Sequence, residues 1–247
     1  MGRRLAPLTR ELPKCLAVAW NGTTLFEEQL NTLRSCGISD FVVVRGYRGD
    51  AFQHTGIRYY WNREYDSTNV LESVMSARSE IEGECLILYS DIWFEPQVVE
   101  TLMTGDASIS VVIDRGWEQG YAGRTEHPIA EAETVTVDAR GNIRQIGKLG
   151  AAAGVLGEFI GITRLSREGA QLFKARYDQA KARCQEGPFQ RATGIKQAYL
   201  SDMLQELVDA GAEVTPVTIH GGWQEVDTPQ DFQSLLRVWE TMSEIAQ

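Results

Sequence analysis

Apolar positions along this chain change spacing in blocks, and the blocks mark out elements. Leu25, Leu30 and Leu33 recur at helical spacing and Gly37 closes the segment, which predicts a helix over 25–35. Phe41-Val-Val-Val-Arg45, ended by Gly46, is a β-branched run and reads as a buried strand; Ile57 to Trp61 reads as another. The pattern returns to helical spacing from Asn69 to Ile81, with Ser67 or Thr68 as N-cap and Glu72 in the first turn. Cys85-Leu-Ile-Leu-Tyr89 is apolar throughout, a strand that runs out at Ser90-Asp91.

The texture shortens between Ala107 and Ile162. Short β-type runs at Ile109–Ile113, Thr134–Val137 and Phe159–Thr163 are joined by turns such as Asp138-Ala-Arg-Gly141, and Gly150-Ala-Ala-Ala-Gly154 reads as a loop. Helical patterns resume at Ser166–Ala182 and Ala198–Ala210. Val214–Ile219 and Trp223–Val226 are strand-like, and a last helix runs from Pro229 to about Glu244. Strands alternating with helices imply an α/β fold: a mainly parallel sheet flanked by helices, with a β-rich substrate-binding insertion. One domain over 1–247 is expected, its core at about 1–106 and 198–247 and its insertion at about 107–197.

Composition narrows the task. With 247 residues, 43% hydrophobic and 23% charged, the chain has the make-up of an ordinary globular protein. A net charge of −10 argues against nucleic acid or an anionic membrane as partner. Arg3, Arg4, Arg10 and Lys14 nevertheless crowd the N-terminus, a local basic site suited to a small anion. No run of 18 apolar residues is present, so no membrane span is expected, and the N-terminus lacks the apolar core of a signal peptide. Cys15, Cys36, Cys85 and Cys184 are widely spaced, with Cys36 and Cys85 read as buried thiols; a reducing, cytoplasmic location is the expectation.

The candidate chemistry collects at strand ends. Glycine frees backbone N–H groups for phosphate oxygens, so Gly2, Arg3, Arg4 and Lys14 have the equipment to hold a triphosphate, with Pro7 and Pro13 stiffening the loop. Ligands of open parallel sheets sit beyond the carboxyl ends of strands. Asp91 lies at one such end and Asp227 follows another; either could be a turn or helix cap instead. Two strand-end carboxylates beside a phosphate loop suit Mg²⁺, which binds one or two carboxylates together with phosphate oxygens.

Several stretches carry a family resemblance. Gly2-Arg-Arg-Leu-Ala-Pro-Leu-Thr9 and Pro13-Lys14 resemble the phosphate loop of the sugar-nucleotidyltransferase (NTP transferase) family, read from the loop's last glycine; the strand and first glycine that precede it there are absent. Gly37 to Tyr47 is similar to the family's second strand and G-Y turn. Tyr65-Asp-Ser-Thr-Asn69, Ser90-Asp91 and Glu225-Val-Asp-Thr-Pro229 resemble segments of its small-substrate cytidylyltransferases. Asp114-Arg-Gly-Trp117, Tyr121 to Pro128, Ala130-Glu-Ala-Glu133 and Gly157-Glu-Phe-Ile-Gly161 point to choline-phosphate cytidylyltransferases and to those associated with phosphoenolpyruvate mutase.

The resemblance implies a Rossmann-like fold and transfer of CMP from CTP to a small phosphonate, such as 2-aminoethylphosphonate, or to phosphocholine, with release of pyrophosphate. It implies Mg²⁺ on Asp91 and Asp227, and Arg4 and Lys14 as catalytic groups on the phosphates. Ser67, Asn69 and Ser90 would join Gly2, Arg4 and Lys14 in nucleotide binding. Candidate acceptor contacts are Arg115 and Lys148 for the phosphonate, Trp93, Trp117, Tyr121 and Trp223 for a quaternary ammonium, and Glu158 and Glu225 for a primary amine. His127, before Pro128, reads as a loop packing residue with no partner to make it a base. Two alternatives stand: a sugar-1-phosphate nucleotidyltransferase, and a truncated, inactive nucleotide-binding module.

Overall fold

A computed structural model describes residues 3–5, 8–184 and 187–245. Gly2, expected to bind nucleotide, lies outside the described residues. After a 3-10 turn at Arg3–Leu5 come α1 (Lys14–Ala17), the short pair β1 (Ala19–Trp20) and β2 (Thr23–Thr24), and α2 (Leu25–Ser35). Next are β3 (Phe41–Arg45), β4 (Ile57–Trp61), α3 (Val70–Ser76), β5 (Cys85–Leu88), β6 (Ile92–Phe94) and α4 (Pro96–Met103). The middle holds β7 (Ile109–Asp114), α5 (Trp117–Gly120), β8 (Thr134–Val137), β9 (Ile143–Gly147) and β10 (Gly157–Leu165). The chain closes with α6 (Arg167–Arg183), α7 (Leu200–Asp209), β11 (Thr215–Ile219), β12 (Trp223–Glu225) and α8 (Pro229–Ile245).

The α/β class holds, and the sheet is mixed where the alternation of elements suggests a mainly parallel one. Six strands run β11-β7-β10-β8-β9, with β5 on β10. Only β11 and β7 pair in parallel within it; β10 is antiparallel to β5, β7 and β8. The stretch read as an insertion therefore contributes β7 to β10 to the same sheet as β5 and β11. β3 and β4 form a separate parallel pair. Helices cover both faces. Leu71, Phe173, Leu200, Met203 and Leu207 pack on one side, while Phe26, Leu30, Leu33, Val98 and Leu102 pack on the other.

Local chemistry explains where elements begin. Thr24 and Glu27 form a reciprocal cap on α2: Glu27 N–H donates to Thr24 Oγ1 (3.2 Å) and Thr24 N–H donates to Glu27 Oε2 (2.7 Å). The cap of α3 is Asn69, accepting from Val70 N–H at 2.8 Å, rather than Ser67 or Thr68. The helix ends at Ser76, with a 3-10 turn at Arg78–Glu80 where the sequence suggested continuation. β6, α4 and β9 lie in stretches whose short apolar runs gave no clear period. Cys15 is buried, but Cys36 and Cys85 are only half-buried; all four thiols are free. Among the described residues, no helix is long and apolar enough to cross a membrane.

Candidate active site

Two backbone links bring the distant carboxylates together. β12 pairs antiparallel with β6, setting Glu225 opposite Ile92, and Val226 N–H donates to Asp91 O at 2.8 Å. Asp91 and Asp227, 136 positions apart, thus flank one point beyond β5. The Gln29 amide of α2 donates to Tyr89 O (2.9 Å) and Ile92 O (2.7 Å), which fixes the turn carrying Asp91. On the other side, Thr228 and Asp231 cap α8: Asp231 Oδ2 accepts from Asp227 N–H (3.0 Å) and Thr228 N–H (2.9 Å). Asp231 is buried and meets Arg124 Nε at 2.8 Å, so the loop holding Asp227 is tied down by a paired charge.

Lys14 sits between the two aspartates. Its Nζ lies 2.6 Å from Asp91 Oδ2 and pairs also with Asp227 Oδ1, while Arg4 pairs with Asp227 Oδ2. Burial favours a neutral Lys14, but the charges of Asp91 and Asp227 outweigh it and hold the ammonium protonated well above its usual range. Burial likewise opposes ionisation of Asp227, and Lys14 and Arg4 overcome it, drawing that carboxyl down. The result is a locked cluster of two anions and two cations.

Next to the cluster lies an acid-lined pocket of about 40 Å³, walled by Tyr89, Tyr121, Glu133, Glu158, Trp223 and Glu225. Glu158, on β10, is buried and accepts from Tyr121 Oη at 2.6 Å. Burial, with Asp114 and Glu133 nearby, pushes its carboxyl up to about 7 against the opposing pull of Tyr121 and Arg124. Glu133 accepts from Tyr89 Oη at 3.1 Å and from Ser201, and burial raises it too. Gly161 permits this arrangement: at φ +83° it sits where an added Cβ would fall 2.4 Å from the Tyr89 ring. Glu225 rises well above the carboxylate range through burial and the charges of Asp227 and Asp91.

A family model of the MobA-like NTP transferase domain matches residues 1–147. The chain belongs to this family. It is an enzyme of the nucleotidyltransferase class, as the resemblance read from the sequence implies. The transferase is 25% identical over 244 residues to CTP:phosphoglutamine cytidylyltransferase of Campylobacter jejuni subsp. jejuni serotype O:2, covering 94% of each chain. It is 34% identical to the 2-aminoethylphosphonate cytidylyltransferase of Lancefieldella rimae over 98 residues, 37% of this chain and 39% of that one. Among solved structures, the inositol-1-phosphate CTP transferase from T. maritima superposes with a TM-score of 0.72 at 21% identity, covering 100% of this chain and 92% of that one. The CTP:phosphocholine cytidylyltransferase of Streptococcus pneumoniae superposes at 0.69 and 18% identity, covering 96% and 94%. These two likenesses establish the Rossmann-like fold.

The transferase brings together Arg4, Lys14, Asp91 and Asp227, and sets Tyr121, Glu158, Trp223 and Glu225 in the adjoining pocket. Asn69 and Ser90 line a larger cavity beside the cluster. Ser67 is exposed and donates to Glu64 O (3.2 Å); it lines neither cavity. Arg115 is exposed, lines neither cavity, and its backbone N–H donates to Ile219 O at 2.9 Å. Trp117 is buried edge-on against Tyr121, with ring centroids 5.8 Å apart, as support for the pocket wall. Lys148 lines the larger cavity and pairs with Glu131 Oε2 at 2.5 Å.

His127 is more than the loop packing residue read from the sequence. It is buried, accepts from Arg124 Nη2 at 3.0 Å through Nδ1, and lies 3.4 Å from Glu225 and 3.7 Å from Asp227. Burial and the Arg124 charge lower its pKa, which keeps the ring neutral. Glu133 and Tyr89 were also missed as site residues. The two acids of Ala130-Glu-Ala-Glu133, inside a segment that resembles the family, were the available signal.

The donor set fits a hard divalent cation. His127, Glu225 and Asp227 offer ligand atoms all within 4.8 Å of one another. The Nδ1 of His127 already accepts from Arg124, so the carboxylates are the better-suited ligands. Asp91 adds a further carboxylate on the far side of Lys14.

Proposed function

We propose that the transferase moves CMP from CTP to a small phosphate or phosphonate that carries a primary ammonium, releasing pyrophosphate with Mg²⁺. The carrying observation is the Lys14–Asp91–Asp227 cluster lying against a pocket of carboxylates. CTP is favoured by the cytidylyl names of the relatives. The ammonium is favoured by the pocket itself.

In this reading an acceptor oxygen attacks the α-phosphorus of CTP. A new P–O bond forms, the bond to the β-phosphate oxygen breaks, and pyrophosphate leaves with its electron pair. The attacking oxygen is already anionic, so no protein nucleophile or base is needed. Asp91 and Asp227 would hold Mg²⁺, which would offset charge on the phosphate oxygens. Lys14 turns from the aspartates towards the α-phosphate, and Arg4, half-exposed at the rim, towards the departing phosphates.

The acceptor's other end meets Glu133, Glu158 and Glu225. An ammonium among them relieves both their mutual repulsion and their desolvation. A quaternary ammonium suits the pocket less. The Tyr121 ring already carries Arg124 at 4.9 Å, so that aromatic face is taken by a cation of the protein itself.

The test is pyrophosphate release with CTP, UTP, GTP and dTTP against 2-aminoethylphosphonate, 2-hydroxyethylphosphonate, phosphocholine and glucose-1-phosphate. Turnover is expected with CTP and the aminophosphonate, and its loss on chelation with EDTA. Turnover confined to the sugar phosphate, or to phosphocholine, would overturn the assignment, as would no turnover with any pair.

A further inference from the structure

Tyr89, His127, Glu131, Glu133 and Glu225 line both cavities of the site and so stand where the two join. The smaller cavity beyond them holds Tyr121, Glu158 and Trp223; the larger holds Lys148, Asp91 and Asp227. In the proposed reading the ammonium of the acceptor enters the first and its attacking oxygen faces the second. The anionic group of the acceptor therefore lies at this junction, where it needs hydrogen-bond donors.

Most of the junction offers it none. Three of the five residues are acids, and the Tyr89 hydroxyl already donates to Glu133 at 3.1 Å. His127 differs. Arg124 Nη2 approaches its Nδ1 at 3.0 Å, and a guanidinium has donors but no acceptor, so the contact needs a bare lone pair on Nδ1. The proton of the ring is then on Nε2. The other tautomer would turn an N–H towards Glu225, 3.4 Å from Nδ1, but would set it against the N–H of Arg124. Among the described residues nothing accepts from Nε2, although His127 is buried. A buried donor without a partner is costly unless a ligand supplies the acceptor.

The ring is also held in place. Arg124 Nε donates to Asp231 Oδ1 at 2.8 Å, and its guanidinium lies over the Tyr121 ring at 4.9 Å. Tyr121 in turn meets the His127 ring edge-on, at 87° and 5.9 Å between centroids. Asp231 Oδ2 accepts from Asp227 N–H at 3.0 Å, so one buried carboxylate fixes both Asp227 and the arginine that orients His127. A donor fixed before the substrate arrives needs no reorganisation when it binds.

We propose that His127 binds the phosphate or phosphonate of the acceptor by donating from Nε2–H to one of its oxygens, and that Arg124 is the positioning residue that fixes this tautomer. The inference rests on the transfer reaction proposed above. No proton moves in the step; the bond orients the anionic group and offsets its charge beside Glu133 and Glu225.

The test compares His127→Phe, His127→Asn and His127→Gln. Only the Gln amide can place an N–H where Nε2–H stands. The acceptor kcat/KM is expected to fall about 10- to 100-fold in the Phe and Asn variants and by no more than about fivefold in the Gln variant. KM for CTP should stay within about twofold in all three, which a collapsed site would not allow. Ring-nitrogen spectra of histidine-labelled protein, which has three histidines, should show His127 as the Nε2–H tautomer. That state should be lost in Arg124→Met, and its Nε2 resonance should move when 2-aminoethylphosphonate is added with CTP. An Nδ1–H tautomer in the wild type overturns the inference, as does a Gln variant that falls with the other two or a series that matches wild type throughout. If the wild type uses another phosphorylated acceptor, the acceptor assignment fails and the same series is read on that acceptor. If it turns over none, an Nε2 resonance unmoved by 2-aminoethylphosphonate overturns the inference by itself.

Discussion

The two halves of the site handle their negative charge in opposite ways. At the strand ends, Asp91 and Asp227 are matched by Lys14 and Arg4, and the cations hold Asp227 below its usual range. In the pocket beside them, Glu133 and Glu158 have hydroxyls as their hydrogen-bond partners, and burial drives both upward. Charge matched within the protein rigidifies a site and costs little. Charge left unmatched and dry costs stability, and a ligand of opposite sign recovers it. In the proposed reading, the first half takes anionic phosphates and their metal, and the second a cation on the acceptor.

The largest effect should follow from breaking the matched half. Lys14→Met leaves Asp91 and Asp227 facing each other without their shared cation and, in the proposed mechanism, removes a donor to the reacting phosphate. CMP transfer should fall by on the order of 10²–10³, read as pyrophosphate release at saturating CTP. Near-normal turnover would show that Lys14 serves only to seal the apo cluster.

Glu158→Gln probes the unmatched half. Its kcat/KM for 2-aminoethylphosphonate should drop by about 10- to 100-fold, the worth of a buried charge-assisted hydrogen bond. Turnover of 2-hydroxyethylphosphonate, if measurable, should hold or improve. A uniform fall for both acceptors would mean that Glu158 supports the fold of the pocket rather than selecting a cation.

A third consequence concerns pH and stability. The Glu158 carboxyl moves from an ordinary 4.5 to about 7 in the folded protein, so the folded state binds the proton more tightly. Its contribution therefore favours folding at low pH and is lost as pH rises from about 4.5 through 7, at most on the order of 3 kcal/mol. The groups facing it are Tyr121, Arg124, Asp114 and Glu133. Between pH 5 and 8, wild-type Tm should fall relative to Glu158→Gln, and an amine acceptor should narrow the gap. Parallel Tm curves for the two proteins would remove the strain from the argument.

The sequence carried the elements far better than the pocket. Leu25–Ser35, Phe41–Arg45 and Ile57–Trp61 match their expected bounds because period, glycine stops and β-branching agree there. Asp91 and Asp227 were legible because strand-end acids sit where open sheets bind ligands. The antiparallel course of β10 was not, since an apolar strand reads the same in either direction. Glu133 and His127 escaped for a related reason. Glu133 meets Tyr89, 44 positions away, and His127, although bonded to Arg124 three positions away, meets Asp227 100 positions away; no local pattern encodes the two distant contacts.

The smallest expected effect separates legibility from placement. Arg115 follows β7 in a segment that resembles the family, and its charge suits a phosphonate. It is nevertheless exposed, and its backbone N–H pairs with Ile219 while its side chain lines neither cavity. Arg115→Ala should change kcat/KM for the acceptor by less than about twofold and stability by no more than about 0.5 kcal/mol, as at ordinary surface sites. Lys148, on the cavity wall and paired with Glu131, should respond more strongly to the same truncation. If Arg115→Ala instead raises the acceptor KM tenfold while Lys148→Ala does not, the phosphonate approaches from the β7 side. The division between a phosphate half and a cation half would then have to be redrawn around that entry.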